Sequence, residues 1–260
     1  MPGLDIEPIR DPSKLEIKQS KTPHLMRTPL RMLACAASFS GKSTVVANMI
    51  LNKRMYRGVW DNIYIFSQSV HHDGTWGEVK KYVREEMGED PEKHFFPDWD
   101  VDAIKQIISD QKAIVKWHKD EGHKQTHQSL VVVDDFADRP EVMHRAGGAG
   151  ILNALYTMGR HYMISTILCS QKPTLISTTI RENATSLIIW KQRSSKALEV
   201  LLSEYDAMVP GGKDTLLAMY EYCVREPFSF LLIDLLRPPS EAFFKNFTTR
   251  LIPTAQAGDA

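Results

Sequence analysis

The chain has little sulfur chemistry, no long apolar run and no net charge. Its three cysteines, Cys35, Cys169 and Cys223, are too few and odd in number for a disulfide scaffold, which fits a reducing compartment. No apolar run approaches the roughly 18 residues that a membrane span requires, so no span is expected. The opening MPGLDIEPIRDPSK lacks the apolar core of a signal peptide, which argues against export. Charge of one sign is also missing: 32 Lys and Arg balance 32 Asp and Glu. A histone-like polycation is excluded, but a nucleic-acid partner is not, because charge can be segregated. Residues 1–60 carry ten Lys or Arg against four Asp or Glu.

What remains is ordinary globular composition, 43% hydrophobic and 25% charged over 260 residues. The expected organisation is an extended arm over 1–26, one domain over 27–252 and a disordered tail over 253–260. Apolar runs predict strands at 30–36, 63–66, 130–133, 162–169, 186–190 and 228–236. Helical spacing predicts helices at 43–53, 101–117, 151–159 and 195–202. Ser240 is a candidate N-cap for a last helix carrying Phe243, Phe244 and Phe247. Strands alternating with helices imply an α/β fold, a mostly parallel central sheet with helices on both faces. Ligands of such sheets bind at the carboxyl ends of the strands.

The informative residues lie at those ends. Ala36-Ala37-Ser38-Phe39-Ser40-Gly41-Lys42-Ser43 follows a predicted strand and opens a predicted helix. It fits the phosphate-loop pattern G-x-x-x-x-G-K-[ST] except for Ala36 at the first position. Backbone N–H groups of such a loop and of the following helix face an anion. Gly41 permits close approach of the backbone, Lys42 supplies a point charge for the β- and γ-phosphates, Ser43 offers its hydroxyl to Mg²⁺, and Thr44 falls to the α-phosphate. The bulk of Phe39, where such loops often carry glycine, argues against left-handed backbone there and for weaker nucleotide affinity. About 90 residues on, Leu130-Val131-Val132-Val133 ends in Asp134 and Asp135. In phosphate-loop enzymes the first acid at this place holds Mg²⁺ through water, and the second serves as general base. The strand after Asp135 is expected to insert between the two motif strands, the additional-strand, catalytic-acid layout of phosphate-loop ATPases.

Gln171, at the end of that inserted strand, faces the γ-phosphate region in this reading and orients water or reports nucleotide state. Arg160 sits just before the strand. Its guanidinium fork suits phosphate oxygens, and in a ring it can reach a neighbour's site. Arg181 is the rival for that role. His118, His123 and His127 fit no zinc spacing and are read as structural. Candidate DNA contacts are Lys105, Lys112, Lys116 and Lys119, the Gly-rich run from His144 to Gly150, and an arm with Arg10, Lys14, Lys18, Lys21 and Arg27. Alternative readings are a GTPase, a small-molecule kinase or a structural subunit that binds nucleotide without turnover. A GTPase needs Asn-Lys-x-Asp, and Asn52-Lys53 is followed by Arg54-Met55.

Taken together, Pro29-Leu30-Arg31-Met32 before the loop, VVVDDFAD at 131–138, GRHYMIS at 159–165, Gln171, IREN at 180–183 and SFLLID at 229–234 resemble one family. It is that of the poxvirus-type genome-packaging ATPases of nucleocytoplasmic large DNA viruses, within the FtsK–HerA superfamily. The resemblance covers residues 28–250 and implies a ring of ATPase subunits driving double-stranded DNA into a preformed capsid. By it, ATP and Mg²⁺ are the ligands of Lys42, Ser43 and Asp134, Asp135 is the catalytic acid, Gln171 the sensor and Arg160 the finger in trans. It also implies a capsid or portal-like partner, and residence in the host-cell cytoplasm at the virus factory, with the virion as a further location.

Overall fold

Every residue of Ser129–Asp134 is buried, as befits a strand with a layer on each face. The computed structural model describes residues 11, 13–134, 136, 142 and 149–253. The strands are β1 (Arg31–Cys35), β2 (Asn62–Ser67), β3 (Phe95–Phe96), β4 (Ser129–Asp134), β5 (Ile164–Ser170), β6 (Ser186–Trp190), β7 (Phe230–Asp234), β8 (Phe243–Lys245) and β9 (Thr249–Leu251). They form one sheet in the order β3-β2-β4-β5-β1-β6-β7-β8-β9. β5 therefore lies between the two motif strands, pairing Ala34 with Cys169 on one side and Val133 with Leu168 on the other, both parallel. β7, β8 and β9 pair antiparallel.

The helices are α1 (Lys42–Leu51), α2 (Gly74–Glu85), α3 (Val101–Asp120), α4 (Ala149–Met158), α5 (Thr178–Asn183), α6 (Ser195–Ser203) and α7 (Gly212–Cys223). They cover both faces. Leu33 and Cys35 of β1 join one core with Ile104, Leu155 and Leu216, while Met32, Ala34 and Ala36 join the other with Val46, Met49 and Trp76. The period-2 alternation of a single strand thus feeds two cores. Burying a Val, Leu or Ile side chain is worth about 1.5–3 kcal/mol. Among the described residues no helix is long and apolar enough to cross a membrane.

The predicted last helix is instead the β8–β9 hairpin. Phe243 and Phe244 are both buried, but in different cores, so consecutive residues point to opposite faces. That is a strand's period, which a helix cannot provide. Asn246, at φ 56°, opens the hairpin's three-residue loop. Met163 also differs from expectation. A 3₁₀ turn over Gly159–Tyr162 and a left-handed Met163 at φ 58° precede β5, so the strand begins two residues after Tyr162. α2, β3, α5 and α7 are additions to the sequence reading. Before β1, residues 13–26 run without regular structure, Glu16 bridges Gln125, and Leu15, Leu25 and Met26 are buried against the domain.

Candidate functional site

Gly41 stands at the N-terminus of α1 with φ 82°, a backbone that side chains rarely adopt, and no side chain caps the helix there. The first N–H groups of α1 are therefore left to face an anion. Lys42, in the first turn, is buried, and its Nζ lies 2.7 Å from Oδ1 of Asp134. Ser43 donates its hydroxyl to Oδ2 of the same carboxylate at 2.9 Å. Asp134 is the last residue of β4 and is fully buried. Lysine and serine from one motif thus meet the aspartate of the other, although 91 residues separate Ser43 from Asp134 and β5 intervenes.

The inserted strand delivers a further group. Gln171 directly follows β5, and its Oε1 accepts a hydrogen bond from the Ser38 hydroxyl at 2.7 Å. The backbone of Ala36 still pairs with Ser170, so the loop leaves β1 already fastened to β5. Ala37, Ser38, Phe39, Ser40, Gly41, Lys42, Ser43 and Thr44 line a cleft of about 570 Å³, together with Gln171. Phe39 takes the left-handed backbone after all, with φ 64°. It does so by pointing its ring entirely into solvent, where the side chain meets no neighbour.

Three more cleft residues, Ser69, Asp73 and Thr75, come from the segment after β2 and the start of α2. Asp73 N-caps α2, accepting from the Thr75 N–H at 2.8 Å. Their signal was the strand-end rule applied to Ile63–Phe66. Gln192, just past β6, lines an adjoining space rather than this cleft: its Nε2 donates to the carbonyls of Cys35 at 2.9 Å and Trp190 at 3.0 Å, tying β6 to the start of the loop. Phe228 also lines the cleft. It precedes an antiparallel strand, so the sequence alone does not put it at this edge. Cys35, at the start of the loop, is fully buried, and burial pushes its thiol up to about 12.

Asp135 and His144–Gly148 lie outside the described residues, as does Arg10. Arg160 is described and stands apart from Lys42. It precedes β5, whereas Gln171 follows it, and seven strand residues at about 3.3 Å each separate the two sheet edges by roughly 20 Å. Arg160 is exposed and makes no ion pair among the described residues. Arg31 is its cationic neighbour. Burial first, and Arg160 second, lower the Arg31 pKa. Arg181 is engaged: its Nε lies 2.6 Å from Glu204, and a second nitrogen donates to the Ile176 carbonyl. Among the described residues no three His, Cys, Asp or Glu side chains converge as a metal site. His118 sits against His123 and His127 with ring centroids 5.1 and 5.2 Å apart, and Thr126 reaches its Nδ1 at 3.0 Å.

No curated protein matches the chain. Solved structures share the fold. The pCW3 conjugation coupling protein TcpA, in its monomer form with ATPγS, is 17% identical with a TM-score of 0.53 over 86% of this chain. EssC (ATPases 2 and 3) from Geobacillus thermodenitrificans is 14% identical with a TM-score of 0.55 over 89% of it. This chain spans 60% of the TcpA chain and 41% of the EssC chain. The genome packaging NTPase B204 from Sulfolobus turreted icosahedral virus 2, in complex with ATPγS, is 12% identical with a TM-score of 0.51, covering 84% of this chain and 97% of that one. Residues 17–223 match the family model of the poxvirus A32 protein, and the chain belongs to that family.

Proposed function

We propose that this protein is an ATP hydrolase that works as a double-stranded DNA translocase, packaging a viral genome into a preformed capsid as one subunit of a homo-oligomeric ring. One observation carries the reading: Lys42 and Ser43 from the loop converge on Asp134 from β4 across an inserted strand. Membership of the poxvirus A32 family and the fold shared with a packaging NTPase that binds an ATP analogue support it. That family also supports action in the host-cell cytoplasm; a capsid or portal-like component is the partner that this role would need.

The residues divide the work by their chemistry. Lys42 holds the β- and γ-phosphates by charge while loop N–H groups hold them by hydrogen bonding. The Ser43 hydroxyl and Asp134 carboxylate are hard oxygen donors 2.9 Å apart, a donor set suited to Mg²⁺. The ion, when bound, neutralises phosphate charge. Asp135 accepts the proton of the attacking water as its oxygen bonds to the γ-phosphorus and the bond to the departing ADP breaks. Gln171 orients that water or relays the state of the γ-phosphate to the loop through Ser38.

Arg160 serves the neighbour's site. It is exposed, free of carboxylate partners among the described residues and a sheet's depth from Lys42. Mixing Arg160→Ala subunits with wild type is expected to lower turnover below the simple dilution line. A linear dilution curve rejects the role in trans.

For DNA, the exposed Lys105, Lys112, Lys116 and Lys119 of α3 are one candidate contact. Lys105 is already paired with Asp102 at 2.8 Å, and Lys112 lies 4.6 Å from the Tyr162 ring, which leaves Lys116 and Lys119 the more available pair. The Gly-rich run and the basic arm are the others. A packaging motor accepts any sequence, so backbone contacts suffice. Long duplex DNA is expected to raise the ATPase rate several-fold, with the gain lost as salt rises. A DNA-independent rate, or none at all, counts against a translocase.

A further inference from the structure

Two phenylalanines flank the phosphate cleft in a way that its phosphate chemistry does not need. Phe39 and Phe228 are the most exposed large hydrophobic side chains described, at 97% and 68%. Both have left-handed backbone, at φ 64°. Such geometry is strained for a bulky residue, and strain of that kind gathers at ligand sites. The backbone of Phe228 is held by Trp190, whose Nε1 donates to the Phe228 carbonyl at 3.2 Å. Its ring lies over the loop, since a Cβ on Gly41 would stand 3.3 Å from Phe228 Cδ1. One edge of the ring is therefore against the loop and its outer face is open.

Both rings border two adjoining spaces. One is the cleft over Lys42. The other, of about 660 Å³, opens on the β6–β7 side and shares Ala37, Ser38, Phe39, Ser40 and Phe228 with it. Arg193, Arg225 and Ser229 on its walls supply polar groups. A triphosphate held at Lys42 leaves its sugar and base projecting from the loop, and a π-face is the surface on which a base gains most.

We infer that Phe39 and Phe228 stack the nucleobase of the bound nucleoside triphosphate, with the β6–β7 cleft as its seat. This rests on the reading of the loop as a triphosphate site. Stacking on an aromatic ring is sequence-tolerant and worth about 1–3 kcal/mol per base, so each ring governs affinity for the base-bearing ligand alone.

Equilibrium binding of ATP and of inorganic tripolyphosphate to the full chain separates the possibilities. Phe228→Ala is expected to weaken ATP about tenfold or more while leaving tripolyphosphate unchanged, and Phe228→Tyr to restore ATP. Phe39→Ala, at a side chain with no packing to lose, is expected to weaken ATP in the same selective way. Equal losses for both ligands in Phe228→Ala, with Phe39→Ala unchanged, make Phe228 a prop for the loop and overturn the inference. Unchanged ATP affinity in both variants overturns it too, leaving the phosphate site standing. A wild-type chain that binds neither ligand brings down the phosphate site and the inference with it.

Discussion

Lys42→Ala is expected to abolish measurable ATP binding and to lower stability at the same time. The two effects share one cause. The Lys42 ammonium lies 2.7 Å from a fully buried Asp134 carboxylate, so it serves as that group's counter-charge until a triphosphate competes for it. Truncating one partner of a buried, hydrogen-bonded charge pair costs a bound anion about 2–5 kcal/mol, a loss of roughly 30-fold to several thousandfold in affinity. Removing the cation from a buried pair also costs the fold about 3–5 kcal/mol at most, and the Ser43 hydroxyl that still reaches Asp134 at 2.9 Å trims that figure. Adding Asp134→Asn separates the effects. The double variant is expected to regain most of the stability, because the uncompensated charge is gone, yet still to bind no ATP. Thermal unfolding and titration with a fluorescent ATP analogue measure both. A Lys42→Ala chain that binds ATP as wild type does would mean that the loop is no phosphate site.

The same pair shows what in this fold is local and what is not. The loop is legible because its geometry is encoded in adjacent residues: small side chains after an apolar strand, then Gly41, whose φ of 82° few other residues accept. Asp134 is legible because an all-buried strand ends there. Their convergence depends on β5 inserting between β4 and β1, a pairing of residues more than 100 apart for which the sequence offers only analogy. α2 carried a signal that its charged surroundings hide: Trp76, Val79 and Val83 fall on one face, behind an Asp73 cap. The β8–β9 hairpin carried a misleading one. Phe243, Phe244 and Phe247 suit a helical stripe, and only a sheet with a core on each face makes buried neighbours at 243 and 244 a strand. Phe39 shows the limit of the glycine rule: a bulky residue holds φ 64° when its ring has solvent to enter. Phe228 reaches the site only because β7 runs antiparallel to β6, which no local pattern reports.

Asp135→Asn is expected to leave ATP binding within about twofold of wild type while slowing hydrolysis about 10²- to 10⁴-fold, the range that one general base supplies. The assignment follows from the neighbouring carboxylate. Asp134 is already committed, one oxygen to Lys42 and the other to Ser43, so a proton arriving there would weaken the contacts that hold phosphate and metal. In the proposed mechanism Asp135, next in the chain, takes the proton instead. Asparagine keeps the size and polarity of the side chain and removes only its capacity to accept a proton. Single-turnover hydrolysis beside equilibrium binding therefore isolates that step. Asp134→Asn is expected to behave differently, shifting the Mg²⁺ dependence of turnover to higher concentration. Wild-type hydrolysis in Asp135→Asn would move the base elsewhere, and Gln171, which cannot accept a proton but can align water, would not replace it. If Asp135→Asn instead stalls with ATP bound, duplex DNA is expected not to restore its rate. In the proposed motor DNA binds at the subunit's surface and supplies no acceptor for the proton of the attacking water.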